Sequence, residues 1–226
     1  MSYFSRVTLN LGRAKPEQLA ALACGDRYRE HQALWRLFAS DPDAERDFLF
    51  RRNEHNQALS YYVVSKRPPE DHDGIWSIES KDYAPKIRAG ERFAFSLRAN
   101  PVIRRKGEDG KSKRHDVVMD LKRQCGYQTQ PRAERKAEGE LIQIAGSKWL
   151  QSRAEKHGFS VSEKAIRIEG YHQHRSSRAG RQITFSTLDI TGVLRVESPG
   201  LFTQALQAGI GPAKAFGCGL MLVRRL

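Results

Sequence analysis

Gly209-Ile210-Gly211-Pro212-Ala213-Lys214-Ala215-Phe216-Gly217-Cys218-Gly219, running on into Leu220-Met221-Leu222-Val223, is the stretch around which the chain is organised. Four glycines stand in eleven residues, between a predicted helix and a predicted final strand. Glycine gives the backbone access to left-handed conformations and leaves its N–H groups open to close approach. Two readings follow. With Lys214 and Phe216 inside it, the loop can hold a phosphate while packing against a neighbouring hydrophobic layer. Alternatively it is a tight helix-to-strand connection whose glycines only make turns. It is neither a nucleotide P-loop nor a dinucleotide fingerprint, because no Gly-Lys-Ser/Thr ends it and a strand follows it.

Working backwards from the loop, Ser198-Pro199 starts a helix over 201–207. Strand material lies at Ile183, Phe185 and 188–196, preceded by a polar, aromatic-tipped hairpin region over 170–181 and a strand over 159–169. A helix over 137–156 carries Leu141, Ile142, Ala145, Trp149 and Leu150, and Gly158 stops it. The second half thus runs helix, strand, strand, helix, strand, with the strand before Asn100-Pro101 either its first member or the lead into it.

The first half has the same outline. A strand over 3–11 alternates Phe4, Val7, Leu9 and Leu11 with polar residues, and Pro16 opens a helix over 17–24. Asp26 is placed to cap a second helix over 28–39, whose Leu34, Trp35 and Phe38 have helical spacing and share a face with His31. Ser40-Asp41-Pro42 ends it. Strands over 48–51 and 59–65 follow, joined by a polar turn at Glu54-His55-Asn56, then a loop over 66–71, a short edge strand over 75–79 and a closing strand over 93–98. The expected fold class is α+β: two tandem ferredoxin-like (RRM-like) β-α-β-β-α-β domains over 1–97 and 98–226, the first incomplete. Each offers a sheet with one face under helices and the other free for RNA or a second domain.

Bulk composition narrows the partner. Lys+Arg 39 against Asp+Glu 26 gives a formal charge of +13 over 226 residues, which favours a polyanion, most simply nucleic acid. The densest basic run is Arg104, Arg105, Lys106, Lys111, Lys113 and Arg114 around Gly107 and Gly110. It reads either as a solvated loop or as a flexible arm that orders on phosphates, ahead of a short helix over 113–125. Tyr171, His172, His174, Arg175, Arg178 and Arg181 read as a second RNA-contacting element or a solvated hairpin. Cys24, Cys125 and Cys218 are scattered and odd in number, which suits reduced thiols and a cytoplasmic protein. No apolar run approaches membrane-spanning length, so no membrane partner is expected. His172 and His174 lack cysteine or acidic companions at ligand spacing, so neither a metal nor any other cofactor is expected.

The segments Tyr28-Arg29-Glu30-His31-Gln32-Ala33-Leu34-Trp35-Arg36-Leu37-Phe38, Phe48-Leu49-Phe50-Arg51, Arg98-Ala99-Asn100-Pro101 and Gly209 to Gly219 together resemble the CasE family. These are the CRISPR RNA-processing endoribonucleases of Cascade-type (type I-E) complexes, within the repeat-associated proteins with glycine-rich loops. The resemblance spans nearly the whole chain in order. It implies two ferredoxin-like domains and a metal-independent endonuclease that binds the repeat stem-loop of CRISPR precursor RNA. It implies one cut at the 3′ base of the stem, and retention on the mature crRNA beside other Cascade subunits, with the free protein a monomer. The family's catalytic histidine carries over onto His31 and its tyrosine onto Tyr28. Its glycine signature carries over onto Gly209, Gly211, Gly217 and Gly219, and its mobile RNA-contacting loop onto the 104–114 insert.

Such a cut needs an activated 2′-hydroxyl, a protonated leaving 5′-oxygen and charge stabilised on the phosphorane. Histidine titrates near neutral pH and is the natural proton carrier. Tyr28 and His31, three apart on a helix, present to one side, and Arg27 is the adjacent cation. Which of the pair is the acid stays open. Without the resemblance, His31 would read as an interior histidine on an apolar face. Lys214 is the loop residue placed to meet a phosphate. The competing class is a structured-RNA-binding scaffold subunit with no turnover. A DNA-binding or ribosomal role has no helix-turn-helix, finger or basic zipper to support it.

Overall fold

The computed structural model describes residues 1–23, 27–38, 47–53, 58–107, 110–178 and 181–226. The expected cap at Asp26, the helix break at Ser40-Asp41-Pro42, the turn at Glu54-His55-Asn56 and Cys24 lie outside the described residues.

The first sheet is built from β1 (Tyr3–Leu9), β2 (Phe48–Asn53), β3 (Ser60–Ser65) and β4 (Trp76–Asp82), in the order β2-β3-β1-β4 and antiparallel throughout. Helices α1 (Pro16–Ala23) and α2 (Arg27–Trp35), with a 3-10 turn over Arg36–Phe38, cover one of its faces. Alternation decides which residues go there. Val7, Leu9, Phe48, Phe50, Tyr61 and Val63 point to the helices and close on Leu22, Leu34, Leu37 and Phe38. A loop rather than a second helix joins β3 to β4, so this unit is indeed incomplete, and β4 pairs at the edge as expected.

The second sheet has the order β10-β5-β9-β8, the same arrangement in a complete unit. Here β5 is Arg92–Ala99, α4 is Glu138–Ala154, β8 is Phe159–Arg178, β9 is Arg181–Val196, α5 is Pro199–Ala208 and β10 is Met221–Arg225. Gly158, at φ 73°, ends the turn after α4, as its position predicted. Trp149, Leu150, Phe202 and Leu206 pack on Phe95, Leu97, Leu188, Ile190 and Met221. Two ferredoxin-like units are therefore present. β5, expected either to close the first unit or to open the second, hydrogen-bonds between β10 and β9 and so opens the second. The change of sheet thus falls between Asp82 and Arg92, ahead of the 97/98 division expected from Asn100-Pro101.

One further element departs from expectation. The basic run is a hairpin, β6 (Val102–Lys106) paired with β7 (Ser112–Asp116), and α3 (Val117–Gln124) begins only after it. Asp116 caps α3 by accepting from the N–H groups of Val118 and Met119 at 2.9 and 2.8 Å, which forces the strand-to-helix change there. The hairpin expected over 170–181 is present, as the outer end of β8 and β9 themselves, which pair out to Arg178 and Arg181. Beyond Leu188 and out to Arg181 the β8–β9 pair continues as a two-stranded ribbon, with no third strand beside it among the described residues.

The sheet faces without helices meet each other. Leu49 and Val64 of the first sheet close on Leu220, with Phe4, Tyr62, Tyr83 and Leu222 packed around them. The second domain, rather than RNA, covers this face. The seam brings the glycine loop up against β2 and places it beside α2. Among the described residues no helix is long and apolar enough to cross a membrane.

Candidate active site

Helix α2 is oriented by what it buries. Leu34 faces the core, and one turn earlier Glu30 is fully buried as well. Its carboxylate accepts from Arg27 Nη1 at 3.1 Å and from Arg52 Nη1 of β2 at 2.9 Å, which pins the helix to the sheet. At about 3.6 residues per turn, turning Glu30 and Leu34 inward sends Tyr28, Gln32 and Trp35 to the opposite side, with His31 and Arg36 flanking them. The His31 ring stacks on Phe48 at 5.8 Å and 17°, and lies 5.8 Å from Trp35 and 6.2 Å from Phe50. It is half-buried in an aromatic nest, and Tyr28 is half-buried as well.

The glycine loop closes this side of the helix. Gly209, Gly211, Gly217 and Gly219 have φ of 76°, 83°, 76° and 95°, in the left-handed region that favours glycine. A Cβ on Gly209 would come within 2.9 Å of Leu49, one on Gly211 within 3.2 Å of Trp149, and one on Gly217 within 3.3 Å of Phe50. The close approach these glycines allow is therefore to β2 and α4 of the protein itself. Backbone bonds from Ile210 N to Gly219 O (2.9 Å) and from Gly219 N to Arg98 O (2.7 Å) fix the loop to β5. Lys214 donates its ammonium to the Ala208 carbonyl at the end of α5, at 2.5 Å. These contacts are the ones the connector reading expects.

Its 3-10 turn, Lys214–Phe216, meets α2. Between them lies a cavity of about 420 Å³ lined by Tyr28, His31, Gln32, Trp35, Arg36, Ala215 and Phe216. The two stretches singled out in the sequence, more than 170 residues apart, share one pocket.

The far wall of the pocket is tied to the ribbon. Phe216 rests on Phe185 at 4.7 Å, and Phe185 stacks on His174 at 4.9 Å and 25°. His174 Nε2 lies 2.9 Å from Thr187 Oγ1. Burial first, then Arg27, Arg98 and His172, pushes the His174 pKa down to about 4, so the ring is neutral at neutral pH. His172, on the same strand face at 6.4 Å, is exposed, as is Arg175. The side chains of Arg178 and Arg181 lie outside the description. Behind the loop, Arg98 holds Asp189 in a bidentate pair at 2.7 and 2.8 Å. The nearby Cys218 thiol is buried, and this raises its pKa to about 12 against the opposing pull of Arg98, Arg27 and Arg51.

The β6–β7 hairpin leaves Arg104, Lys106, Lys111, Lys113 and Arg114 exposed. Arg105 is held by Asp120 through bonds of 2.8 and 2.7 Å, which raise its pKa. The register sets Arg104 opposite Arg114 and Arg105 opposite Lys113. Like charges directly across a ladder are unfavourable, so the backbone pairing here concentrates positive charge at a cost. At its base the hairpin is fixed to Trp149, whose indole N–H donates to Val102 O at 3.2 Å and whose ring backs Gly211. Among the described residues no three His, Cys, Asp or Glu side chains converge as a metal ion would need.

Sequence reasoning passed over Gln32, Arg36, Phe185, Glu30 and Arg52 as site residues. The i, i+3 spacing of Arg27 and Glu30 was the one local signal available. Nothing in the sequence announced that Phe185 and Phe216 would meet.

The sequence matches the family described as CRISPR associated protein over residues 2–225. The chain belongs to that family. It is 32% identical over 203 residues to CasE, a subunit of the CRISPR system Cascade from Escherichia coli K12, covering 87% of this chain and 90% of that protein. It is 25% identical over 215 residues to the CRISPR-associated endoribonuclease Cse3 of Thermus thermophilus, covering 87% and 89%. In three dimensions it resembles a structure of Cse3 bound to a 19 nt RNA, with a TM-score of 0.72 over 99% of this chain and 98% of that one. At 22% identity that likeness speaks for the fold.

Proposed function

We propose that the protein is a metal-independent endoribonuclease. It binds the stem-loop of a CRISPR repeat in precursor RNA and cuts once at the 3′ base of the stem. It then stays on the mature guide RNA as a subunit of a Cascade-type complex. The observation that carries the reading is the shared pocket: Tyr28 and His31 line one cavity, against the glycine loop, in a chain 32% identical to CasE.

The reaction is attack of the 2′-hydroxyl on its own 3′-phosphate, with departure of the 5′-oxygen and formation of a 2′,3′-cyclic phosphate. The RNA brings the nucleophile, so the protein has protons to move and charge to hold. His31 is the proton carrier, and its aromatic nest fixes the ring before RNA arrives. Tyr28 orients the 2′-hydroxyl or shares the proton transfer. Arg36 lines the same cavity and, from its exposed pair with Asp73 at 3.4 Å, supplies positive charge near the phosphorane; Arg27 is held more closely, by the buried Glu30 at 3.1 Å. The exposed cations of the β6–β7 hairpin, with His172 and Arg175 on the ribbon, form the phosphate-contacting surface for the stem.

The test uses the hairpin repeat RNA in excess chelator. The expected result is one cut, ending in a 2′,3′-cyclic phosphate, and no cut when the 2′-hydroxyl at that nucleotide is replaced by hydrogen. Cleavage that stops with chelator, or a 2′-deoxy substrate cut at the normal rate, overturns the reading.

A further inference from the structure

The pocket beside Tyr28 and His31 contains more than proton transfer requires. Its outer walls are Trp35 and Phe216, both half-buried, with Gln32 at its rim. A cleft serving only a phosphate would be lined by donors and cations, whereas this one presents two large apolar rings. Both rings are fixed from behind: Trp35 lies 5.9 Å from Phe48, and Phe216 lies 4.7 Å from Phe185. Rigid aromatic walls are what base stacking uses, because every base has a π-face. At about 420 Å³ the cavity is in the range of pockets that enclose a small ligand, about 300–1,000 Å³.

We infer that this pocket is a subsite for one unpaired nucleobase, that of the nucleotide immediately 3′ of the scissile phosphate. The inference rests on the cleavage reading above. A cut at the 3′ base of the stem leaves the nucleotide on its 5′ side paired and unable to enter a pocket. The nucleotide on the 3′ side is free to turn in. Its base lies between the Phe216 and Trp35 walls, and its edge meets the Gln32 amide, which carries both a donor and an acceptor. Seating that base also holds the scissile phosphate next to His31 and Tyr28, so the subsite acts on the rate of cleavage. Affinity for the RNA comes from the stem.

The experiment measures single-turnover cleavage and binding of the hairpin RNA, intact or with an abasic residue at the first position 3′ of the cut. With the unmodified protein, the abasic substrate is cut about tenfold more slowly, a loss within the worth of one base–aromatic stack, and is bound as tightly as the intact one. Phe216→Leu keeps apolar bulk against Phe185. It slows the intact substrate by a similar factor and slows the abasic one no further. Gln32→Ala narrows the spread of rates among substrates carrying each of the four bases at that position. An abasic substrate cut as fast as the intact one overturns the inference, as does a Phe216→Leu defect equal on both substrates. Failure to cut even the intact hairpin is a different outcome, and removes the cleavage reading itself.

Discussion

Replacing Gly209 with alanine tests whether the glycine loop is built for packing on the protein. Gly209 has φ 76° and ψ 156°, a combination almost confined to glycine, and a side chain held there costs about 1–3 kcal/mol. The added Cβ would also lie 2.9 and 3.0 Å from the two methyl groups of Leu49 and 3.2 Å from Gly219 O. Leu49 is 4% exposed and wedged with Val64 and Leu220 in the seam between the sheets, so it has no room to swing away. Overpacking of that kind costs about 1–3 kcal/mol. Together the expected loss is about 2–6 kcal/mol, or roughly 4–24 °C in melting temperature for a chain of this size. Gly200→Ala is the control: its Cβ would meet no heavy atom within 4 Å, and it sits in α5, where alanine is the better helix former. The assay is thermal unfolding of both variants beside the unmodified protein. Equal melting of the Gly209 and Gly200 variants would refute the packing argument. A phosphate cradle would add a second effect, a fall in RNA affinity beyond the loss of stability.

Other outcomes follow from the same geometry. Glu30→Gln removes the carboxylate between Arg27 and Arg52, and urea unfolding should show a loss of about 2–4 kcal/mol, because one buried partner is taken away. The paired change Glu30→Leu with Arg52→Leu should recover part of that loss. Arg104→Gln with Lys113→Gln should weaken RNA binding and flatten its salt dependence by about 0.7–0.9 in slope for each phosphate no longer neutralised, leaving the cleavage rate of bound RNA unchanged. His174 has a folded pKa of about 4, below the ordinary histidine value of 6.5. The unfolded chain therefore takes up a proton first, and stability that is complete above pH 6.5 is lost as pH falls from there towards 4. His174→Gln should remove part of that fall, read as denaturation midpoints at pH 7 and pH 4.5.

Elements with one buried face were legible in the sequence. Val7 and Leu9 in β1, Tyr61 and Val63 in β3, and Leu141, Trp149 and Leu150 in α4 carry the period of their structure because each has a core to meet. The errors fall where that signal is missing. β5 is a well-patterned strand, but its pattern does not say which sheet it joins, and both candidate sheets lie next to it in the chain. The β6–β7 hairpin hid behind its charges: Arg104, Arg105, Lys113 and Arg114 read as loop, though the bonds between the strands are made by backbone groups. The hairpin at the outer end of β8 and β9 was expected, but with no core beneath it the sequence did not show that both strands run unbroken into it. Tyr28, His31 and the glycine loop could be singled out as candidates in the sequence, but the pocket that Tyr28 and His31 share with Ala215 and Phe216 could not, since it depends on the seam between the two domains. The same seam makes the glycine loop a wall of the pocket, through Ala215 and Phe216.

The central claim is that His31 moves a proton in an RNA cut made within this pocket. Its most direct measurement compares single-turnover cleavage and equilibrium binding of the hairpin repeat RNA by the unmodified protein and by His31→Ala. A His31→Ala protein that binds the RNA with unchanged affinity and cuts it at least about a hundredfold more slowly, as expected for loss of a general acid or base, is the predicted result. Cleavage by His31→Ala at the full rate would contradict the account.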